Sequence, residues 1–206
     1  MGQFCSIDIE TTGLNPEQDQ VLEVAAVLAQ YEGQDLMAMP AFWAKVYREI
    51  ITGSPVALFL NVRLIKELSE IKLPLHTPDD FNLSGQWIHP DWLGGLFAGW
   101  LKQHGVTRES KVFPCGKNFQ GFDRQFLYRM KGFPKELLHH RALDPGAMWA
   151  GWGEQGGYVP GLNEFPTPSG LEGKEHEALF DARKALYWSL RFMPHTTLRQ
   201  RLEALG

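Results

Sequence analysis

The chain has 206 residues, 44% of them hydrophobic and 21% charged, with a net charge of −4. Such a length buries enough apolar surface to fold without disulfides or a structural metal, and it fits one domain over 1–206 with an atypical insertion around 50–88. The acidic balance argues against an extended grip on duplex DNA, which phosphate neutralisation drives, but it leaves room for a short single-stranded end held beside bound cations.

The first residues, MGQFCSIDIE, lack a basic segment ahead of an apolar run, so no signal peptide is read there. No stretch approaches the roughly 18 apolar residues of a membrane span. A soluble, cytoplasmic protein without membrane association is expected. Cys5 and Cys115 sit in apolar runs and lack zinc-site spacing, which predicts two buried free thiols in a reducing compartment.

Residues 4–10 alternate, with Phe4, Ser6, Asp8 and Glu10 on one face and Cys5, Ile7 and Ile9 on the other, as in a strand. TTGLNP reads as a turn. Residues 20–31 and 38–47 read as the next two strands of an antiparallel meander. A helix is expected over 58–71 and a loop over 74–85. Pro90 suits the first turn of a helix running to His104, with Gly105 as its stop. KVFPCGKN predicts a strand, 118–131 a helix ended by Gly132, and a further strand should end at Asp144, with a short helix after Pro145. Residues 151–173 hold seven glycines and three prolines, a long irregular segment of the kind that is usually functional. Glu177–Arg191 reads as an amphipathic helix, and a terminal helix follows Pro194. This order predicts an α/β fold of three layers, a mixed central sheet with helices on both faces.

Four acids stand where apolar residues belong. Asp8 and Glu10, two apart in a strand, point the same way from a segment that is otherwise apolar. Asp123 shares helical spacing with Phe119, Phe126, Leu127 and Met130. Asp181 does so with Ala178, Ala185 and Trp188, and His176 lies just ahead of that helix. A single buried acid is commonly explained by an ion pair or a helix cap. Four in three elements require concentrated positive charge. No Lys or Arg shares these stripes, so divalent cations are expected, and oxygen ligands select magnesium or manganese over zinc.

These residues fall in three motifs: Ser6-Ile7-Asp8-Ile9-Glu10-Thr11-Thr12-Gly13-Leu14, Asn118-Phe119-Gln120-Gly121-Phe122-Asp123 with Phe126-Leu127, and His176-Glu177-Ala178-Leu179-Phe180-Asp181-Ala182. In order and spacing they resemble those of the DEDDh-type 3′→5′ exonucleases, a family of ribonuclease-H-like fold that includes polymerase proofreading subunits, ribonuclease T and oligoribonuclease. The resemblance spans 4–31 and about 90–192. Lys117 departs from it, standing where a histidine often precedes Asn118. Residues 50–88 depart too; Gly53-Ser54-Pro55, Ala57-Leu58 and Asn61 suggest a phage-type subgroup.

The resemblance implies two Mg2+ ions, replaceable by Mn2+, about 3.5–4 Å apart. Asp8, Glu10 and Asp181 would hold one ion, with Asp8 bridging to a second that Asp123 helps to hold. His176 would be the general base, and its ordinary pKa of roughly 6.5 suits that role. The expected substrates are 3′ ends of single-stranded DNA or RNA, released as nucleoside 5′-monophosphates. Thr11, Thr12 and Gly13 form a turn whose backbone is expected near the terminal nucleotide. Leu14 and Phe122 are candidates to line the base pocket, with plain core packing as the alternative, and Asn118 is a candidate phosphate contact.

Other readings stay open. Glu23 fits either a supporting place near the site or an exposed strand position. The basic stretch Arg129, Lys131, Lys135, His139, His140 and Arg141 fits a substrate lead-in or a solvated helix end. A separate metal site at His139, His140 and Asp144 is disfavoured, and the Trp residues around 87–100 and 149–152 are expected in the core. Competing functions are an inactive nuclease-fold binding module, an endonuclease and a polymerase-bound proofreading subunit. The complete set of acids disfavours the first, and the His-x4-Asp motif the second. Only 25 residues follow Asp181, with no partner-binding tail, which favours a stand-alone enzyme, monomeric or dimeric, over the third.

Overall fold

A computed structural model describes residues 3–29, 35–72, 75, 78, 80–151 and 158–193. Five strands form one mixed sheet: β1 (Phe4–Thr11), β2 (Val21–Ala29), β3 (Ala41–Val46), β4 (Ser84–Ile88) and β5 (Phe113–Cys115), in the order β4-β3-β2-β1-β5. The expected antiparallel meander is present over β1–β3. Parallel strands flank it, β4 beside β3 and β5 beside β1. Every residue of β2 is buried, as expected of a central strand covered on both faces.

Six α-helices, α1 (Pro55–Leu60), α2 (Val62–Ser69), α3 (Pro90–Gln103), α4 (Asp123–Leu127), α5 (Pro145–Gly151) and α6 (Ala178–Phe192), and two short 3-10 turns complete the described fold. One face of the sheet, through Cys5, Ile7, Ile9, Val24, Ala26, Leu28, Phe42 and Ala44, packs on α3 and α4 residues including Phe97, Trp100, Phe126 and Leu127. The other, through Ala25, Val27 and Ala29, packs on Ala178, Ala182 and Leu186 of α6. Complete burial of each large side chain contributes about 1.5–3 kcal/mol, so this double layer fixes the sheet firmly. Among the described residues, no helix is long and apolar enough to cross a membrane. Cys5 and Cys115 are buried and free.

Local sequence explains where α3 begins and ends. Pro90 occupies its first turn and His89 Nδ1 accepts the Asp91 N–H at 3.2 Å. At the other end Gly105 adopts φ +81, and the N–H groups of Gly105 and Val106 close back on Lys102 and Leu101. This is a Schellman closure, which needs the left-handed backbone that glycine adopts freely.

Several elements differ from expectation. The helix over 58–71 is two helices starting earlier, at Pro55. Ser54 caps the first, and the chain breaks at Asn61, whose side chain donates back to the Ala57 and Thr11 carbonyls. The loop expected over 74–85 gives way at Ser84 to β4, an edge strand whose first residues, Ser84-Gly85-Gln86, have turn-like composition. The helix expected over 118–131 shortens to Asp123–Leu127, because Asn118 takes φ +57 and 118–122 form a turn. The strand ending at Asp144 reduces to bridges at Leu138 and Leu143, since Asp144 caps α5 with its side chain instead of extending the sheet. The irregular segment contains a short 3-10 turn at Leu162–Glu164. The terminal helix after Pro194 and the end of the second strand at 30–31 lie outside the described residues.

Two neighbouring glycines of α3 give opposite predictions. A methyl group on Gly94 would lie 2.3 Å from the Lys131 carbonyl oxygen and 2.5 Å from Phe133 N, whereas one on Gly95 meets nothing within 4 Å. Gly94→Ala is expected to lower unfolding free energy by about 1–3 kcal/mol, the usual cost of overpacking. Gly95→Ala is expected to raise it by about 0.5–1 kcal/mol through helix propensity. Urea melts of the two variants check both signs.

Candidate active site

Asp8 and Glu10 leave β1 on the face covered by α6. The antiparallel register sets Ala25 opposite Asp8 and Glu23 opposite Glu10. The alanines Ala25, Ala178 and Ala182 let α6 lie close to the sheet, so Asp181, in its first turn, comes down beside Glu10.

Among the described residues, Glu10, His176 and Asp181 each offer one ligand atom, and these atoms lie within 4.8 Å of one another. Asp8 stands beside this set, within electrostatic reach of Asp123, Asp181, Glu10 and Glu23. Burial and those four neighbours raise the Asp8 carboxyl well above the ordinary range. Burial, Glu23 and Asp181 push Glu10 up to about 8, against the opposing pull of Asn61 and Arg63. Asp181 rises to about 6 by burial, moderated by the His176 N–H and imidazole.

Asp123 reaches β1 from the far side. β5 pairs only with Phe4–Ser6, so the β1 edge is open beyond that point. Asp123, buried at the start of α4, fills the opening: its Oδ1 accepts the Ile9 N–H at 3.2 Å. Burial pushes it to about 8, against its own backbone and the Ile9 N–H.

His176 is exposed, two residues ahead of α6, with φ +64. Left-handed backbone is unusual for a histidine and costs about 1–3 kcal/mol. The Asp181 carboxylate holds it there by accepting the His176 N–H at 2.9 Å. The preceding Glu175 is tied at 3.3 Å to Lys184, a buried lysine of α6. His176 and Asp181 line a depression of about 280 Å³ with Leu162, Asn163 and Glu175.

The remaining candidates take different places. Thr11, Thr12 and Gly13 are buried, and their polar groups are largely committed within the protein. Thr11 Oγ1 donates to the Gly13 carbonyl, Thr12 exchanges bonds with Gln20, and the Thr12 carbonyl accepts the Ser54 N–H at 2.8 Å. Gly53 makes that approach possible, since a methyl there would stand 2.1 Å from the Thr12 oxygen. Leu14 is 83% exposed, outside the core. Phe122 is half-buried against the core and packs on the Phe126 ring. Asn118 is exposed, with its N–H on the Asp144 carboxylate at 2.8 Å. Lys117 pairs with the other Asp144 oxygen at 3.6 Å.

Two neighbours of the site, Asn61 and Arg63, escaped the sequence reading, and of the two readings open for Glu23 the supporting place holds. Glu23 is fully buried rather than exposed. Asn61 and Arg63, from the atypical segment, both reach Glu10 electrostatically or by hydrogen bond, and Lys184, buried three residues after Asp181 on α6, corrects the expectation that no Lys or Arg shares the apolar stripes. The break between α1 and α2 that aims Asn61 inward has no clear periodic signal. The basic stretch is partly paired, Arg129 with Glu17 and Lys131 with Asp91. His139 lies tilted against the Phe113 and His140 rings, and Asp144 serves α5, so among the described residues these three are not gathered as metal ligands. Trp100 is core, but Trp87 and Trp92 are half-buried and Trp149, packed on Phe165 and Phe192, is exposed, which corrects the core expectation for them; Trp152 lies outside the described residues.

No family model matches the chain. It is 26% identical over 141 residues to an oligoribonuclease of Baumannia cicadellinicola subsp. Homalodisca coagulata, covering 67% of each. It superimposes on E. coli exonuclease I in complex with a dT13 oligonucleotide with a TM-score of 0.56 at 16% identity, covering 100% of this chain and 43% of that one. A zinc-bound E. coli exonuclease I–single-stranded DNA complex matches equally, at 0.56 and 15%, over 100% and 43%. The chain thus spans less than half the length of the exonuclease I chains it matches, and that likeness establishes a shared ribonuclease-H-like fold. The three motifs in order, the oligoribonuclease similarity and this shared fold are the likenesses on which a functional reading of the site rests.

Proposed function

We propose that this chain is a divalent-metal-dependent 3′→5′ exonuclease of single-stranded nucleic acid, DNA or RNA, that releases nucleoside 5′-monophosphates. The observation that carries the reading is the convergence of Asp8, Glu10, Asp123 and Asp181 from three elements beside an exposed His176. Such a concentration of mutually repelling acids is costly to fold around unless cations fill it. Its oxygen-rich donors fit Mg2+, with Mn2+ as a substitute. Asp8, Glu10, Asp123 and Asp181 would hold two such ions. Bound divalent cations supply Lewis acidity and positive charge for the oxygens of a phosphodiester displacement.

The geometry supports the following part for the protein's own residues. His176, exposed beside Asp181 and Glu10, accepts the proton of the attacking water. The Asp181–His176 backbone bond and the Lys184–Glu175 pair hold the imidazole at the edge of the depression. Leu14 and Phe122 offer apolar contact to the terminal base, a sequence-tolerant mode. Thr11, Thr12 and Gly13 shape the turn that presents Leu14, and Asn118 stands ready for a phosphate. We read residues 1–206 as one such domain, working in a cytoplasmic setting that suits its free thiols.

With 5′-labelled single-stranded DNA and RNA, Mg2+ should give a ladder shortening from the 3′ end, absent in EDTA and in Asp8→Ala. Intact substrate in every lane, with binding by gel shift, would support the inactive module instead, and internal cuts an endonuclease. His176→Ala should lower kcat by roughly 10²–10⁴ with little change in KM, since a general base acts in the transition state.

The raised carboxyls also set a pH dependence. Folded Glu10 and Asp123 keep their protons to about pH 8, and Asp181 to about 6. The unfolded chain releases them near pH 4, so between roughly pH 4 and 8 it binds fewer protons than the folded one. Stability in EDTA should therefore fall as pH rises through that window. Mg2+ should restore Tm increasingly toward pH 8, because it displaces these protons. Thermal melts that show a flat or rising EDTA profile, and no Mg2+ effect at pH 8, would count against this electrostatic account.

A further inference from the structure

The segment that departs from the family pattern sends one guanidinium into the acidic end of the sheet. Arg63, on α2, places Nη2 3.4 Å from both carboxylate oxygens of Glu23. Its Nη1 lies 3.2 Å from Glu67, and its Nε 4.0 Å from Glu177, the residue before α6. Glu23, directly opposite Glu10, is engaged from two further elements. Its Oε1 accepts Trp43 Nε1 of β3 at 2.9 Å, and its Oε2 accepts the Ala178 N–H at 3.1 Å.

That last bond has a specific consequence. The first N–H groups of a helix have no partner within it, so Glu23 supplies the partner for the first residue of α6. Asp181 lies three residues further on and His176 two residues before. Any lift or rotation of this first turn therefore moves both groups relative to Glu10. Two glutamates opposite each other on paired strands repel, and a buried carboxylate is stable only when paired. Arg63 meets that need from α2 while also holding Glu177.

We propose that Arg63 is a positioning residue: through Glu23 and Glu177 it fixes the first turn of α6 so that Asp181 and His176 meet Glu10, which rests on the reading of these three groups as catalytic. The planar fork is essential to the arrangement, because three acids from three places share one side chain. A lysine offers a single point charge and cannot span them.

The test compares Arg63→Ala, Arg63→Lys, Glu23→Gln and Glu67→Gln. Amide hydrogen exchange over 174–181 is followed in EDTA without substrate, and kcat and KM are measured with Mg2+. Arg63→Ala and Glu23→Gln should exchange about tenfold faster in this segment alone, and lose about tenfold in kcat with KM changed less than about threefold. Arg63→Lys and Glu67→Gln, the latter removing one of the three acids that orient the fork, should both fall between these and wild type. If Arg63→Ala fails to fold, the near-isosteric Glu23→Gln and the charge-conserving Arg63→Lys decide the matter. Unchanged exchange in folded variants overturns the proposal, as does equal acceleration throughout the chain, the mark of general destabilisation. A wild-type protein without nuclease activity overturns the functional reading alone, because exchange still reports whether Arg63 holds this turn.

Discussion

Glu10 and Glu23 face each other across β1 and β2, and Asp8, Asp123 and Asp181 stand close enough that burial and mutual repulsion raise several of them. Holding like charges together at the end of a buried strand is the constraint to which much of the structure answers. The sheet around them is tightly packed on both faces, so the acids cannot spread apart by local relaxation. Small residues bring α6 near enough for Asp181 to join them. The open edge of β1 admits Asp123. Arg63 offsets one charge, and the rest of the imbalance is what a divalent cation would relieve.

The acids themselves were legible because each breaks a simple rule. Asp8 and Glu10 interrupt an alternating strand, and Asp181 interrupts the apolar stripe of an amphipathic helix. For Asp123 the spacing gives the right burial from the wrong helix. It is buried, as its spacing suggested, but it opens a five-residue helix instead of lying along a long one. Left-handed Asn118 ends the helical reading there, and single-sequence periodicity carries no sign of such a residue.

The meander, α3 and α6 were equally plain, since pattern and caps agree in each. What stayed hidden depends on tertiary contact. β4 exists because β3 offers it an edge, not because SGQWI favours a strand. Glu23 has the same sequence signature whether exposed or buried, and only the register opposite Glu10 gives it meaning. Arg63 and Asn61 sit in a segment without family likeness, so nothing in the chain links them to acids some forty to fifty residues earlier. At the turn Thr11–Gly13 the polar groups are largely satisfied by Gln20, Ser54 and Asn61, a commitment that only the folded neighbours reveal, and Leu14 is the exposed member.

The central claim is that these acids are gathered to hold divalent cations. The most direct measurement is a calorimetric titration of Mn2+ at pH 8, run in two buffers of different ionisation enthalpy to count released protons, on wild type and Asp181→Asn. The account predicts saturable binding with proton release, weakened by about tenfold or more when one ligand is lost, as metal affinity follows deprotonated donors. Absence of saturable binding, or binding indifferent to Asp181, would contradict it.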